Sequence, residues 1–176
     1  MPTDELAVFQ ALAAALGLSP DSAEAARMIR RAYTNPAPPP PAEGEDAVYF
    51  DLRPEGRPPD WTETSTRDGR TRFFRLTPYR LQLVFYGPRA EALAWQVFHR
   101  LFEDGWQRPR RILRRAGIYP LPRPAGPVPV REELEKYHRP RMDLSLELRI
   151  AAEIALPDRE AAAVAVPPEV LVHCGN

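Results

Sequence analysis

Two stretches of strict alternation constrain this chain most. Tyr79, Leu81, Leu83 and Phe85 alternate with Arg80, Gln82 and Val84, and the run stops at Tyr86-Gly87-Pro88. Met142, Leu144, Leu146, Leu148 and Ile150 alternate with Asp143, Ser145, Glu147 and Arg149. A period of two puts one set on each face of a strand, so each stretch reads as a strand with one apolar side. Between them, Ala90, Leu93, Ala94, Val97, Phe98, Leu101 and Phe102 recur at helical spacing, the stripe of an amphipathic helix. The expected fold class is α+β: an antiparallel sheet of about four strands with helices packed on one face.

The flanking elements follow from local signals. Thr3 is placed to cap a first helix, with Asp4 and Glu5 in its first turn, opposing the helix dipole. Leu6, Phe9, Leu12, Ala13 and Leu16 form its expected apolar stripe, and Gly17 ends it. Ser19-Pro20 opens a second helix that carries Ala23, Ala26, Met28, Ile29 and Tyr33 as far as Asn35-Pro36. A proline-rich spacer and a short strand at Ala47–Leu52 come next. Residues 53–70 read as a polar loop holding Trp61 and the turn signal Asp68-Gly69. The long strand runs from about Thr71 to Tyr86, with Pro78 marking a bulge or an edge. Residues 107–116 are helical or irregular, 117–129 are loop with at most a short strand at Ile118-Tyr119, and Arg131–Tyr137 form one or two helical turns. The last strand covers about Arg141–Ile154. These readings divide a single domain into N-terminal helices (1–35), the spacer (36–46), an α+β core (47–156) and a C-terminal tail (157–176).

Composition excludes several classes. A chain of 176 residues with 44% hydrophobic and 27% charged residues suits one globular domain. No apolar run reaches the ~20 residues a bilayer span needs. The Met1–Glu5 start lacks the basic and apolar regions of a signal peptide, so synthesis in a cytoplasm is the expectation. A single cysteine, Cys174, leaves no intramolecular disulfide. No glycine-rich phosphate loop is present, because Gly69-Arg70-Thr71 lacks the lysine and helix start that such a loop needs. His99, His138 and His173 lie far apart, and His173-Cys174 has no second pair at ligand spacing. No cofactor, metal or catalytic group is therefore expected.

Charge is segregated. Residues 1–63 hold eleven acids against five bases, residues 64–141 hold seventeen bases against seven acids, and residues 142–176 hold six acids against two bases. Such a chain suits internal pairing or head-to-tail contact between copies. Arg108-Pro109-Arg110-Arg111-Ile112-Leu113-Arg114-Arg115 is the densest basic run. It reads as a solvated or intersubunit face, or alternatively as a phosphate-contacting site of a small DNA-binding protein. Trp61 reads as a buried loop anchor or as a partner contact.

One ordered set of short motifs carries the reading further. A strand ends in Tyr86-Gly87-Pro88 and an amphipathic helix follows at once. Then come Ile118-Tyr119-Pro120-Leu121-Pro122, a loop with Pro127-Val128-Pro129, and Arg139-Pro140-Arg141-Met142-Asp143-Leu144 leading into the last strand. In this order, over roughly residues 45–154, the chain resembles the tail terminator (neck terminator) proteins of long-tailed bacteriophages. It departs from them in the spacer at 36–41, in the loop around Trp61, and at Lys136-Tyr137-His138, where a tryptophan pair is expected. The resemblance implies a non-enzymatic virion protein of the tail and neck region, made in the host bacterial cytoplasm. It implies a homo-oligomeric, commonly hexameric ring that ends tail-tube polymerisation, with the tail tube protein and the head–tail connector protein as partners and DNA passing through the lumen. A connector or tail-completion subunit of similar fold is the neighbouring alternative. The residues expected at subunit or tube interfaces are Trp61, Arg72, Arg75, Arg108, Arg110, Arg111, Arg139 and Arg141, with Asp143 pairing a nearby arginine to fix the start of the last strand.

Overall fold

Leu81, Leu83 and Phe85 face the same side as Leu146, Leu144 and Met142, their partners across an antiparallel ladder. The computed structural model describes residues 3–34, 36–56, 59–67, 70–103, 108–122, 125–134 and 137–157. Its elements are α1 (Thr3–Leu16), α2 (Ala23–Met28), β1 (Ile29–Arg31), β2 (Ala47–Pro54), β3 (Thr62–Arg67), β4 (Arg70–Tyr86), α3 (Ala90–Phe102), α4 (Arg108–Arg115), β5 (Ile118–Pro120), β6 (Val128–Leu134) and β7 (Tyr137–Pro157). The fold is α+β, and the sheet holds seven strands rather than about four.

The two alternating stretches form a central ribbon. β4 and β7 pair without a register shift from Arg70↔Pro157 to Tyr86↔Arg141. At about 3.3 Å per residue, this ladder is roughly 50 Å long. β2 and β3 share the outer edge of β4, and β5 and β6 share that of β7. β1 adds to β2 in parallel. Pro78 sits where β2 has ended at Tyr79 and β3 has yet to begin at Phe74. Its carbonyl points to that gap and accepts the Glu55 N–H at 2.9 Å. The missing proline donor therefore faces no strand, and the β7 ladder needs no bulge.

One face of the sheet carries the core. Val48, Phe50, Leu81, Leu83, Phe85, Met142, Leu144, Leu146, Leu148, Ile150 and Ile118 pack beneath α1, α3 and α4. In α1 the buried side is formed by Ala7, Val8, Ala11, Leu12, Ala13 and Ala15, whereas Leu6 is exposed. The expected stripe is thus rotated toward the small residues, which allow α1 to lie close to α3. Gln96 Nε2 reaches the Ala15 carbonyl at 2.9 Å.

Three further expectations are corrected. The second helix is only Ala23–Met28, capped by Ser22 Oγ accepting from Ala25 N at 3.1 Å. Ile29–Arg31 then leave it as β1, because an open edge of β2 offers backbone partners. The polar loop at 53–70 contains β3, hydrogen-bonded to β4. The helical turns expected over Arg131–Tyr137 are not found among its described residues, since Val128–Leu134 is β6 against β7 and Tyr137 begins β7. The helix formers Glu132, Glu133 and Leu134 are overridden by ladder bonds along a free edge. Asp68-Gly69 and the tail beyond Pro157 lie outside the described residues.

Candidate interaction surfaces

The expected interface residues fall in three separate places. Trp61, Arg72 and Arg75 lie where β3 flanks the distal end of β4. Arg108, Arg110 and Arg111 belong to α4, and Arg139 and Arg141 to the start of β7. Fourteen residue steps along β4 separate Arg72 from Tyr86, the partner of Arg141, so these two sites are roughly 45 Å apart.

At the start of β7 the outward face is built from alternating polar positions. Parallel pairing sets Arg30 beside Tyr49. Arg30 donates to Tyr49 Oη at 3.1 Å, to Glu45 Oε1 at 2.7 Å and to the Arg27 carbonyl at 2.8 Å. Tyr49 meets Tyr86 edge to face at 5.8 Å, and Arg141 lies 5.7 Å from the Tyr86 ring. Arg141 forks onto Asp143 at 2.7 and 2.8 Å, so the expected pairing of Asp143 with an arginine holds. The spacer joins this face: Pro39 O accepts from Tyr49 Oη at 2.7 Å, and Glu45 folds back to accept Ala42 N–H at 2.9 Å. The side chain of Arg139 lies outside the described residues.

That turn makes a pH-dependent contribution. The Ala42 N–H, and then the Arg30 and Arg27 charges, hold the Glu45 carboxyl below its ordinary pKa against an opposing desolvation. A depressed carboxylate stabilises the fold above its unfolded pKa, and the contribution fades as pH falls through the lowered value. Glu45→Gln is therefore expected to lower the urea midpoint at pH 7 and to lower it less at pH 3. An equal loss at both pH values would show that charge has no part in the turn.

At the distal end, the Arg75 guanidinium stacks 4.4 Å from the Trp61 ring. Its buried Nε has no hydrogen-bond partner, so the π-face supplies much of its compensation. Arg72 pairs with Glu153 at 3.1 Å, with the two side chains 59% and 55% exposed. A surface pair of this kind contributes about 0–1 kcal/mol. Each of these residues thus has a partner within the chain.

α4 sorts its arginines by helix geometry. Proline is tolerated at Pro109 because the first turn has no N–H acceptor to lose, and Gly117, with φ of 73°, ends the segment. Pro109 and Leu113 are buried, and Arg110 is half-buried with an unpartnered Nε. Arg108, Arg111 and Arg115 are exposed and line one groove of about 400 Å³ with Gln10, Pro20 and Ile112.

A second groove, of about 360 Å³, runs between the start of α3 and the β6–β7 pair. Gly87, Pro88, Pro129, Val130, Pro140 and Arg141 are among its walls. A third, of about 330 Å³, lies on the outer face between Tyr33, Asp51, Arg53 and Arg80. There the hydrogen bond to Tyr33, with the Asp51 charge behind it, raises the Arg53 pKa further.

His99 is exposed, stacks on Trp95 at 5.5 Å and bonds to Glu103. Among the described residues no group of three or more His, Cys, Asp or Glu side chains could hold a metal ion. No helix of the described residues is long and apolar enough to cross a membrane. Of the row Arg30, Tyr49, Tyr86 and Arg141, sequence reasoning singled out Arg141 alone. The outward positions of the alternating strands contained two of its members, but β1 was hidden in an expected helix. The chain matches no family model and no curated protein.

Proposed function

We propose that this chain is a structural virion protein: a tail terminator that forms a ring at the head-proximal end of a phage tail tube. The observation that carries this reading is the meeting of the resemblance motifs. Gly87-Pro88, Pro129 and Pro140-Arg141 are far apart in sequence yet wall the same groove beside α3. The corner that turns β4 into α3 is therefore built by the segments on which the likeness rests. The ribbon of β4 and β7 gives a rigid body with one face under helices and the other open to neighbours. Segregated charge supports heterologous contacts that close into a ring. No catalytic step belongs to this role, and its partners would be further copies, the tail tube protein and the head–tail connector.

Native mass spectrometry and negative-stain electron microscopy test it. A closed ring, commonly of six copies, that caps purified tail tubes is the expected result. A protein that stays monomeric and leaves tubes growing in its presence would rule the reading out. Gold labelling in assembled particles separates a terminator from a connector or tail-completion subunit of similar fold.

A further inference from the structure

We infer that the groove beside α4 is a sequence-independent site for the phosphate backbone of duplex DNA. The groove is built within one protomer, so the inference does not rest on ring formation. At ~100° per residue, Arg108, Arg111 and Arg115 fall within an arc of about 60° on the side of the helix opposite Pro109 and Leu113. They rise about 10 Å along it. Three forked cations thus line one groove, with Gln10 among its other walls.

Charge complementarity sets the ligand. The helix RPRRILRR contains no acid. Among the described residues, none forms an ion pair with Arg108, Arg111 or Arg115, although Asp21 follows groove residue Pro20. A planar guanidinium matches a phosphate with two parallel hydrogen bonds. Among the described residues the groove offers only Pro20 and Ile112 as apolar walls, so an acidic peptide would find among them no aromatic or deep aliphatic anchor of the kind that dominates protein interfaces. Among the described residues it also has no aromatic ring on which the bases of a single strand would stack. Gln10 is the one uncharged polar side chain among the described residues that line it, too little to read a sequence of base edges. A duplex, presented by its backbone alone, is the polyanion that fits.

The test is fluorescence anisotropy of a short mixed-sequence duplex titrated with the full chain at several NaCl concentrations. Three phosphate contacts per protomer predict a log K against log salt slope of about −2.7, or a ~40-fold loss of affinity between about 50 and 200 mM salt. Arg111→Gln should flatten the slope by about 0.9, and the triple variant R108Q/R111Q/R115Q should abolish most of it. Arg70→Gln, on the exposed distal strand, should leave both unchanged. The single Arg111 variant keeps the test decisive should the triple variant unfold. A flat salt profile, an unchanged slope in Arg111→Gln, or tighter binding to poly-glutamate or to single-stranded DNA than to the duplex would overturn the inference. Loss of DNA binding in an intact ring overturns the groove alone, and DNA binding by a monomer leaves it standing without the ring.

Discussion

Replacing Phe85 with alanine is expected to destabilise the protein by about 3–5 kcal/mol, the usual cost of emptying a phenylalanine site in a packed core. Phe85 is fully buried and sits between Val48 on β2 and Met142 on β7. It is also the last inward residue before the corner at Gly87. The cavity left would open under the start of α3, where Ala90, Leu93 and Ala94 pack against the same cluster. Those residues belong to a helix fixed at its N-terminus, so they cannot move in to fill the space. Against a total stability of about 5–15 kcal/mol, the loss takes a large share of what holds the domain. Urea unfolding followed by tryptophan fluorescence checks it. Val84→Ala, one residue away on the outward face, should cost about 1 kcal/mol or less, because less apolar surface is lost there. Equal costs at the two positions would mean that the inward side is not the packed one.

That contrast shows what the sequence made legible. Alternation alone assigned the inward sides of Leu81, Leu83, Phe85 and Met142–Ile150, because a half-buried antiparallel strand writes its burial into its period. The helical stripe of α3 was equally open, with Ala90, Leu93, Ala94, Val97 and Leu101 all buried. Edge elements were not. Ile29–Arg31 and Val128–Leu134 are strands because β2 and β7 leave backbone groups to be paired. That demand arises from partners distant in sequence and leaves no local period. Leu6, expected in the apolar stripe of α1, is exposed while Ala11 is buried, for a related reason. Closeness between α1 and its neighbours favours the small side chain, and hydrophobicity alone does not register it.

The interface residues divide in the same way. Composition marked the arginines but could not say which are committed internally. Arg141 is held by Asp143 and Tyr86, Arg75 by Trp61, and Arg72 by Glu153. Arg108, Arg111 and Arg115 share one exposed face without such acids among the described residues. Removing an internally paired arginine should therefore show first as lost stability. Removing a groove arginine should show first as lost binding. The two classes look alike in the sequence and differ only through what folding brings beside them.

Gly87→Ala is expected to exceed even the Phe85 substitution in its effect, because two penalties fall on one atom. Gly87 has φ of 106°, a conformation that side-chain-bearing residues rarely adopt, worth about 1–3 kcal/mol in itself. An added Cβ would also lie 2.6 Å from the Glu45 carbonyl oxygen, 2.6 Å from Asp46 Oδ1 and 2.7 Å from Asp46 Cα. Two of these atoms are backbone, so no rotamer change relieves them. Nor can the 45–46 segment withdraw. Asp46 Oδ1 accepts the Arg89 N–H at 2.9 Å, Oδ2 accepts Arg89 Nε at 2.6 Å, and Glu45 is tied to Arg30. On its other side Gly87 donates to the Pro140 carbonyl at 3.2 Å, and its own carbonyl accepts from Ala90 at 3.0 Å. The corner thus joins β4, α3, the approach to β2 and the start of β7, and a methyl group there must displace at least one of them. We expect a loss of about 4 kcal/mol or more, a magnitude reserved for strain or burial faults of this kind. Asp46→Ala is the control: it removes the side-chain clasp on α3 while sparing the backbone, and should cost about 1 kcal/mol. Should Gly87→Ala unfold at the same urea concentration as the parent, the chain does not turn this corner with a left-handed residue packed against Glu45. The groove that gathers Gly87-Pro88, Pro129 and Pro140 would then lose its geometry, and the ring reading would lose the observation that carries it.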